Sequence, residues 1–117
     1  MKYSLELVVK LLDVIIEHPH GFAPRNIEIE GFSPEEIGFH SYLMEEAGLV
    51  EATEFTHLTS PGPFSSIRNI LMDGYTFHAA MQDTSLFEMA KEYFDKKGAL
   101  GFIAEVIKSG FRKALGL

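Results

Sequence analysis

Residues 32–50, FSPEEIGFHSYLMEEAGLV, spell out both ends of one helix, and this constrains the fold more than any other stretch. Ser33 can cap the start, because its hydroxyl accepts from a free amide of the first turn. Pro34 then stands where a missing N–H costs nothing. Glu36 completes a Ser-x-x-Glu capping box, with Phe32 and Ile37 at the staple positions on either side of the cap. Gly48 can adopt the left-handed conformation that stops a helix, and Leu49 can fold back over the last turn. Ile37, His40, Leu43 or Met44, and Ala47 recur at helical spacing and define the face to be buried.

The flanking segments follow from their periodicity. Tyr3 to Glu17 reads as a first helix whose stripe (Leu5, Val8, Leu12, Ile15) is widened by Leu7, Leu11 and Val14, so protein must surround it on most sides. Glu6 and Lys10 form an i,i+4 pair on the remaining face. The helix stops before Pro19, since a residue preceding proline avoids the helical region. Residues 26–30 (NIEIE) alternate like a short half-buried strand. Strands over 49–55 and 66–72, joined by a loop rich in proline and glycine, make an antiparallel hairpin. Helices follow over 74–82, 84–97 and 99–115. The fold class is therefore α+β and mostly helical. Its order of helix, short strand, helix, hairpin, helix resembles a winged helix, with residues 1–82 as that domain and 83–117 as a C-terminal helical extension. The extension either packs on the domain or serves for dimerisation. The second helix of a complete winged helix would be a single turn around 22–26, or be lost.

The chain has 117 residues and no cysteine, which suits one core and excludes disulfides and thiolate metal sites. No apolar run is long enough to span a membrane and no signal pattern opens the chain, so the expected location is cytoplasmic. Net charge is −7 and uneven: residues 1–66 carry three basic and eleven acidic side chains (−8), residues 67–117 seven basic and six acidic (+1). An acidic domain repels the phosphate backbone that dominates nucleic-acid affinity.

Two stretches point to a family. GFSPEEIGFHSYLMEEAGLVE resembles the central motif of an uncharacterised bacterial and prophage family, a domain of unknown function, through Ser33, Phe39, His40, Met44, Ala47, Gly48 and Leu49. IRNILMDGYTF is similar to the family's strand leading into its next helix, through Ile70, Gly74 and Phe77; Leu71 replaces the family's capping Thr, and Gln82 and Phe87 replace an Arg and a Trp. The resemblance implies a winged-helix-like fold and a phage or mobile-element origin, and it implies no activity.

No phosphate loop, nucleophile elbow, dinucleotide fingerprint or His-Glu-x-x-His is present, so the expectation is a non-enzymatic protein with no cofactor and no metal. Of the five histidines, His40 falls within the buried stripe and is expected to be a hydrogen-bonded core residue fixing the helix against the hairpin; His18 and His20 belong to a turn. Glu35/Glu36 and Glu45/Glu46 are sequence neighbours and diverge around the helix rather than forming an acid–base dyad. The expected function is a regulatory or protein-interaction module, with Phe39, Tyr42, Phe102, Val106 and Phe111 as candidate contacts to a protein partner or to a second copy through the C-terminal helices. The alternative is a DNA-binding regulator. Residues 34–47 hold four Glu and no Lys or Arg, and the loop 56–65 is also without basic residues. Any nucleic acid would therefore meet the cluster Lys96, Lys97, Lys108, Arg112 and Lys113 instead.

Overall fold

The computed structural model describes residues 2–55 and 62–114, with the side chains of the last helix as far as Gly110. Its centre is not the helix with the best-written ends but the first one. Helix α1 (Leu5–Glu17) buries Leu5, Leu7, Val8, Leu11, Leu12 and Ile15 completely. It packs against three other helices and the hairpin. The width of its apolar stripe foretold this. Glu6 and Lys10 pair at 3.1 Å on its solvent face.

Helix α2 (Pro34–Glu46) forms as its ends dictate. Ser33 Oγ accepts from the Glu36 amide at 3.1 Å and Glu36 Oε1 accepts from the Ser33 amide at 3.0 Å, which completes the capping box. Phe32 and Ile37 are both half-buried against the core. At the other end Gly48 is left-handed (φ 77°). The Gly48 N–H bonds Glu45 O and the Leu49 N–H bonds Met44 O, which is the Schellman arrangement.

The hairpin consists of β1 (Val50–Glu54) and β2 (Ser65–Ile70), antiparallel, with Val50 opposite Ile70 and Glu54 opposite Ser65. Glu51 faces Asn69 and Ala52 faces Ile67, so Arg68 is an extra residue on β2. Such a bulge leaves the extra residue outside the ladder. The Arg68 carbonyl is taken by the Ala23 N–H at 2.8 Å, and the Ala52 N–H by the Glu45 carboxylate of α2 at 2.9 Å. One expectation needs correction here. Residues 26–30 form no strand: among the described residues that connection pairs through a single bridge, Phe22 with Asn69. Residues 22–26 form no helical turn, which leaves the alternative that this turn is lost; a short turn stands instead at Pro19–Gly21.

Helix α3 (Met72–Met81) starts two residues earlier than its apolar pattern suggested and directly continues β2. Its cap residue Leu71 offers no side-chain hydrogen bond, as the missing Thr implies. Helix α4 (Thr84–Lys97) is capped by Asp83, whose carboxylate accepts from Leu86 N–H at 3.1 Å, and stops at a left-handed Gly98. Helix α5 (Leu100–Ala114) follows at once. Ala90, Phe94, Leu100, Ile103 and Ile107 join the same buried cluster as α1, so both C-terminal helices pack on the rest of their own chain. No helix among the described residues is long and apolar enough to cross a membrane.

Candidate protein-interaction surface

Amphipathic helices normally bury their apolar face, and among its described side chains α5 leaves part of that face open. Leu100, Ile103 and Ile107 enter the core, whereas Phe102 remains 62 % and Val106 44 % exposed. The reason is geometric: these two residues lie one helical turn apart and off the line of the buried three. Opposite them α4 presents Met89 (52 %) and Tyr93 (39 %), again four residues apart. The Tyr93 and Phe102 rings stand 5.7 Å apart. Together these side chains enclose an open groove of about 420 Å³, floored by Ala90 and Ile103 and rimmed by Glu92, Lys96 and Lys97. The four large exposed apolar side chains form one continuous patch rather than being scattered singly.

Phe102 and Val106 thus meet at one place. Met89 and Tyr93 escaped the sequence reading because α4's core stripe runs through Ala90 and Phe94, although an apolar pair at i,i+4 outside that stripe was the available signal. Phe39 is not a free anchor on α2. It is half-buried, with the Tyr3 ring 6.0 Å away and His40 edge-on at 5.8 Å. Tyr42 is half-buried and does not line the groove. The Glu46 charge beside it raises its phenol above the usual range, helped by a small loss of hydration and by Glu54, with which Glu45 acts in the same sense. Phe111, Arg112 and Lys113 have side chains outside the described residues.

Of the basic cluster, the structure describes the side chains of Lys96, Lys97 and Lys108. Lys96 pairs with Glu92 at 3.5 Å on the groove rim, and Lys108 is turned to Asp73 of α3 at 3.1 Å. Within the described residues Lys97 is the member with no ion pair.

His40 is a buried, fully bonded histidine, but it holds α2 to the start of α1, not to the hairpin. Its Nδ1–H donates to Glu36 O at 2.8 Å, which leaves Nε2 to accept the Ser4 N–H at 2.9 Å. Burial lowers its pKa, and the Glu36 backbone bond with the Glu36 and Asp95 charges only partly offsets this. His78 donates to Asp13 of α1 and is half-buried between helices. His57 lies outside the described residues. Among the described residues no three His, Asp or Glu side chains converge as metal ligands would.

Fold and surface together define a small α+β domain in which a hairpin and three helices enclose a core, while a C-terminal helix pair leaves an apolar groove open. The chain belongs to the family described as a hypothetical protein, DUF2513, which matches residues 2–100 and so takes in every element but the body of α5. No curated protein and no solved structure matches it.

Proposed function

We propose that the protein is a non-enzymatic, winged-helix-like interaction module that holds another polypeptide on its α4–α5 groove. The winged-helix reading is supported by α2 packed on the hairpin and by the single Phe22–Asn69 bridge, which stands where the first strand of such a sheet would run. The observation that carries the function is the exposure of Phe102 beside Tyr93, Met89 and Val106. Leaving an aromatic ring in water forfeits about 1.5–3 kcal/mol, so a chain that could turn it inward gains by doing so. Aromatic anchors in a pocket are what protein interfaces concentrate. A DNA-reading role for α2 is disfavoured by its chemistry, because residues 34–47 hold four Glu and no Lys or Arg to read a base or meet a phosphate.

A photo-crosslinking amino acid placed at position 102 tests the reading in the producing cell. Covalent adducts to a polypeptide that are absent when the same group sits at exposed Glu17 are the expected result. The same background at both positions would overturn it.

A further inference from the structure

We propose that residues 2–4 form a latch over the corner between α2 and α4, and that this latch lifts when His40 takes up a proton while the rest of the fold stays in place. It works independently of whatever the groove holds.

One acceptor closes the latch. His40 is wholly buried, its Nδ1–H is committed to Glu36 O at 2.8 Å, and its Nε2 accepts the Ser4 N–H at 2.9 Å. The same bond holds Tyr3 in its place. That ring sits 6.0 Å from Phe39 and 5.8 Å from Phe94, and a Cβ built on left-handed Gly98 would stand 2.6 Å from two of its carbons. Lys2 is exposed. Ser4 is the hinge, because its carbonyl and hydroxyl accept the Val8 and Leu7 amides, each at 3.3 Å, and so belong to α1. Leu5 lies behind the hinge, fully buried and with its N–H on Asp95 Oδ1 at 3.0 Å.

A proton on His40 turns Nε2 from acceptor to donor, so that it faces the Ser4 N–H with no lone pair between them. No ring flip relieves this, since both nitrogens of an imidazolium donate. The corner also holds a partner for the new charge. Asp95 is near enough for its carboxylate to favour a charged His40, and among the described residues only its Oδ1 is taken. With the Ser4 amide displaced, the imidazolium meets Asp95 and Leu5 keeps its bond. The other charge acting on His40 is Glu36 of α2, whose Oε1 is held by the Ser33 N–H. The latch itself carries Lys2 and Tyr3, α1 pairs Glu6 with Lys10 on its solvent face, and α5 turns Lys108 to Asp73. Burial holds His40 below its ordinary 6.5 against the pull of Glu36 and Asp95, so the latch is shut at neutral pH and opens on the acid side of that value. Opening takes Tyr3 off the Phe39 and Phe94 rings and off Gly98, where α4 gives way to α5.

The test is amide hydrogen exchange followed by NMR from pH 7.5 to pH 5, corrected for the intrinsic rate at each pH, with the His40 ring shifts recorded on the same samples. Protection of the Ser4 amide should fall about tenfold as His40 titrates, while that of Leu12 within α1 holds. His40→Gln keeps an acceptor and cannot be charged, so its Ser4 amide should be equally protected at both ends of the series. Asp95→Asn keeps an acceptor for Leu5 and removes the charge, so release should move to lower pH. Circular dichroism confirms that each variant is folded, and the wild-type series decides even where one is not. Ser4 protection that stays level while His40 titrates overturns the latch, and so does a His40 still neutral at pH 5. A parallel loss at Ser4 and Leu12 would show acid acting on the whole fold and overturns it too, as does the same loss in His40→Gln.

Discussion

Gly74 shows how one missing side chain positions an element. It lies in the first turn of α3, and a Cβ built there would stand 2.3 Å from the Leu49 carbonyl oxygen and 2.6 Å from Ile70 Cγ1. The same carbonyl accepts the Leu71 N–H at 2.9 Å, so it cannot retreat without breaking the joint between the hairpin and α3. Alanine would gain about 1 kcal/mol of helix propensity at this position. Against that stand about 1–3 kcal/mol of overpacking and about 1 kcal/mol for a weakened hydrogen bond. Gly74→Ala is therefore expected to lower stability by about 2 kcal/mol, read as a lower urea midpoint at unchanged slope. A midpoint at or above the wild type's would mean that α3 can lift off the strand at no cost. The sequence marked Gly74 only by resemblance. Nothing in its neighbours said that a carbonyl from residue 49 would lie against it, because that contact is made by the fold.

At the scale of elements, α1 begins in a way its own residues do not provide for. Ser4 Oγ accepts one amide of the first turn, from Leu7, but the Ser4 N–H is taken by His40 and the Leu5 N–H by Asp95 at 3.0 Å. Tyr3 is held in the same corner by the Phe39 and Phe94 rings. The His40 acceptor exists only while the imidazole is neutral. Its folded pKa lies below the ordinary 6.5, mainly through burial, so near and below that value the unfolded chain binds the extra proton. The stabilisation is fully present above pH 6.5 and is lost as pH falls through the folded pKa. Carboxylates also titrate on acidification, so a difference isolates the histidine. His40→Gln, whose amide oxygen can accept but does not titrate, should be less stable than wild type at pH 7.5, with the gap narrowing steadily toward pH 5. Parallel stability curves from urea unfolding would show that His40 does not titrate with the fold. This contrast explains what was legible. Both ends of α2 were readable because Ser33, Glu36, Gly48 and Leu49 act on atoms within five residues. Beyond the local Ser4 cap, the partners of the Ser4 and Leu5 amides at the start of α1 come from 36 and 90 residues away, which no local pattern encodes. Alternation over 26–30 misled for the opposite reason. The pattern is local, but a strand needs a neighbour, and β2 offers that segment only the carbonyl of its bulged Arg68, which Ala23 takes.

The whole molecule is organised around α1, and this decides how the C-terminal helices relate to the rest. Sequence placed a boundary near residue 82, where the winged-helix-like order is complete. Of the side chains that close the core around α1, Phe94, Leu100, Ile103 and Ile107 lie beyond that point and are at most 5 % exposed. Burial of four such side chains is worth about 1.5–3 kcal/mol each, or about 6–12 kcal/mol together. A domain of this size has a total stability of about 5–15 kcal/mol. Asp95, which holds the Leu5 amide, would go with them. A chain ending at Gln82 would also uncover the faces of α1 and α3 that α4 and α5 cover, an apolar surface no small monomer keeps in water. Residues 1–82 alone are therefore expected not to fold, and the intact chain to unfold in one transition in which near-ultraviolet and far-ultraviolet circular dichroism coincide. A truncated chain that melts cooperatively with dispersed amide resonances would show that α4 and α5 are an accessory layer. The groove they form would then be separable from the domain. If the truncated chain is unfolded, the helices that present Phe102 and Tyr93 are the same ones that complete the core, so the outward face of the pair is free to vary only as far as its inward face permits.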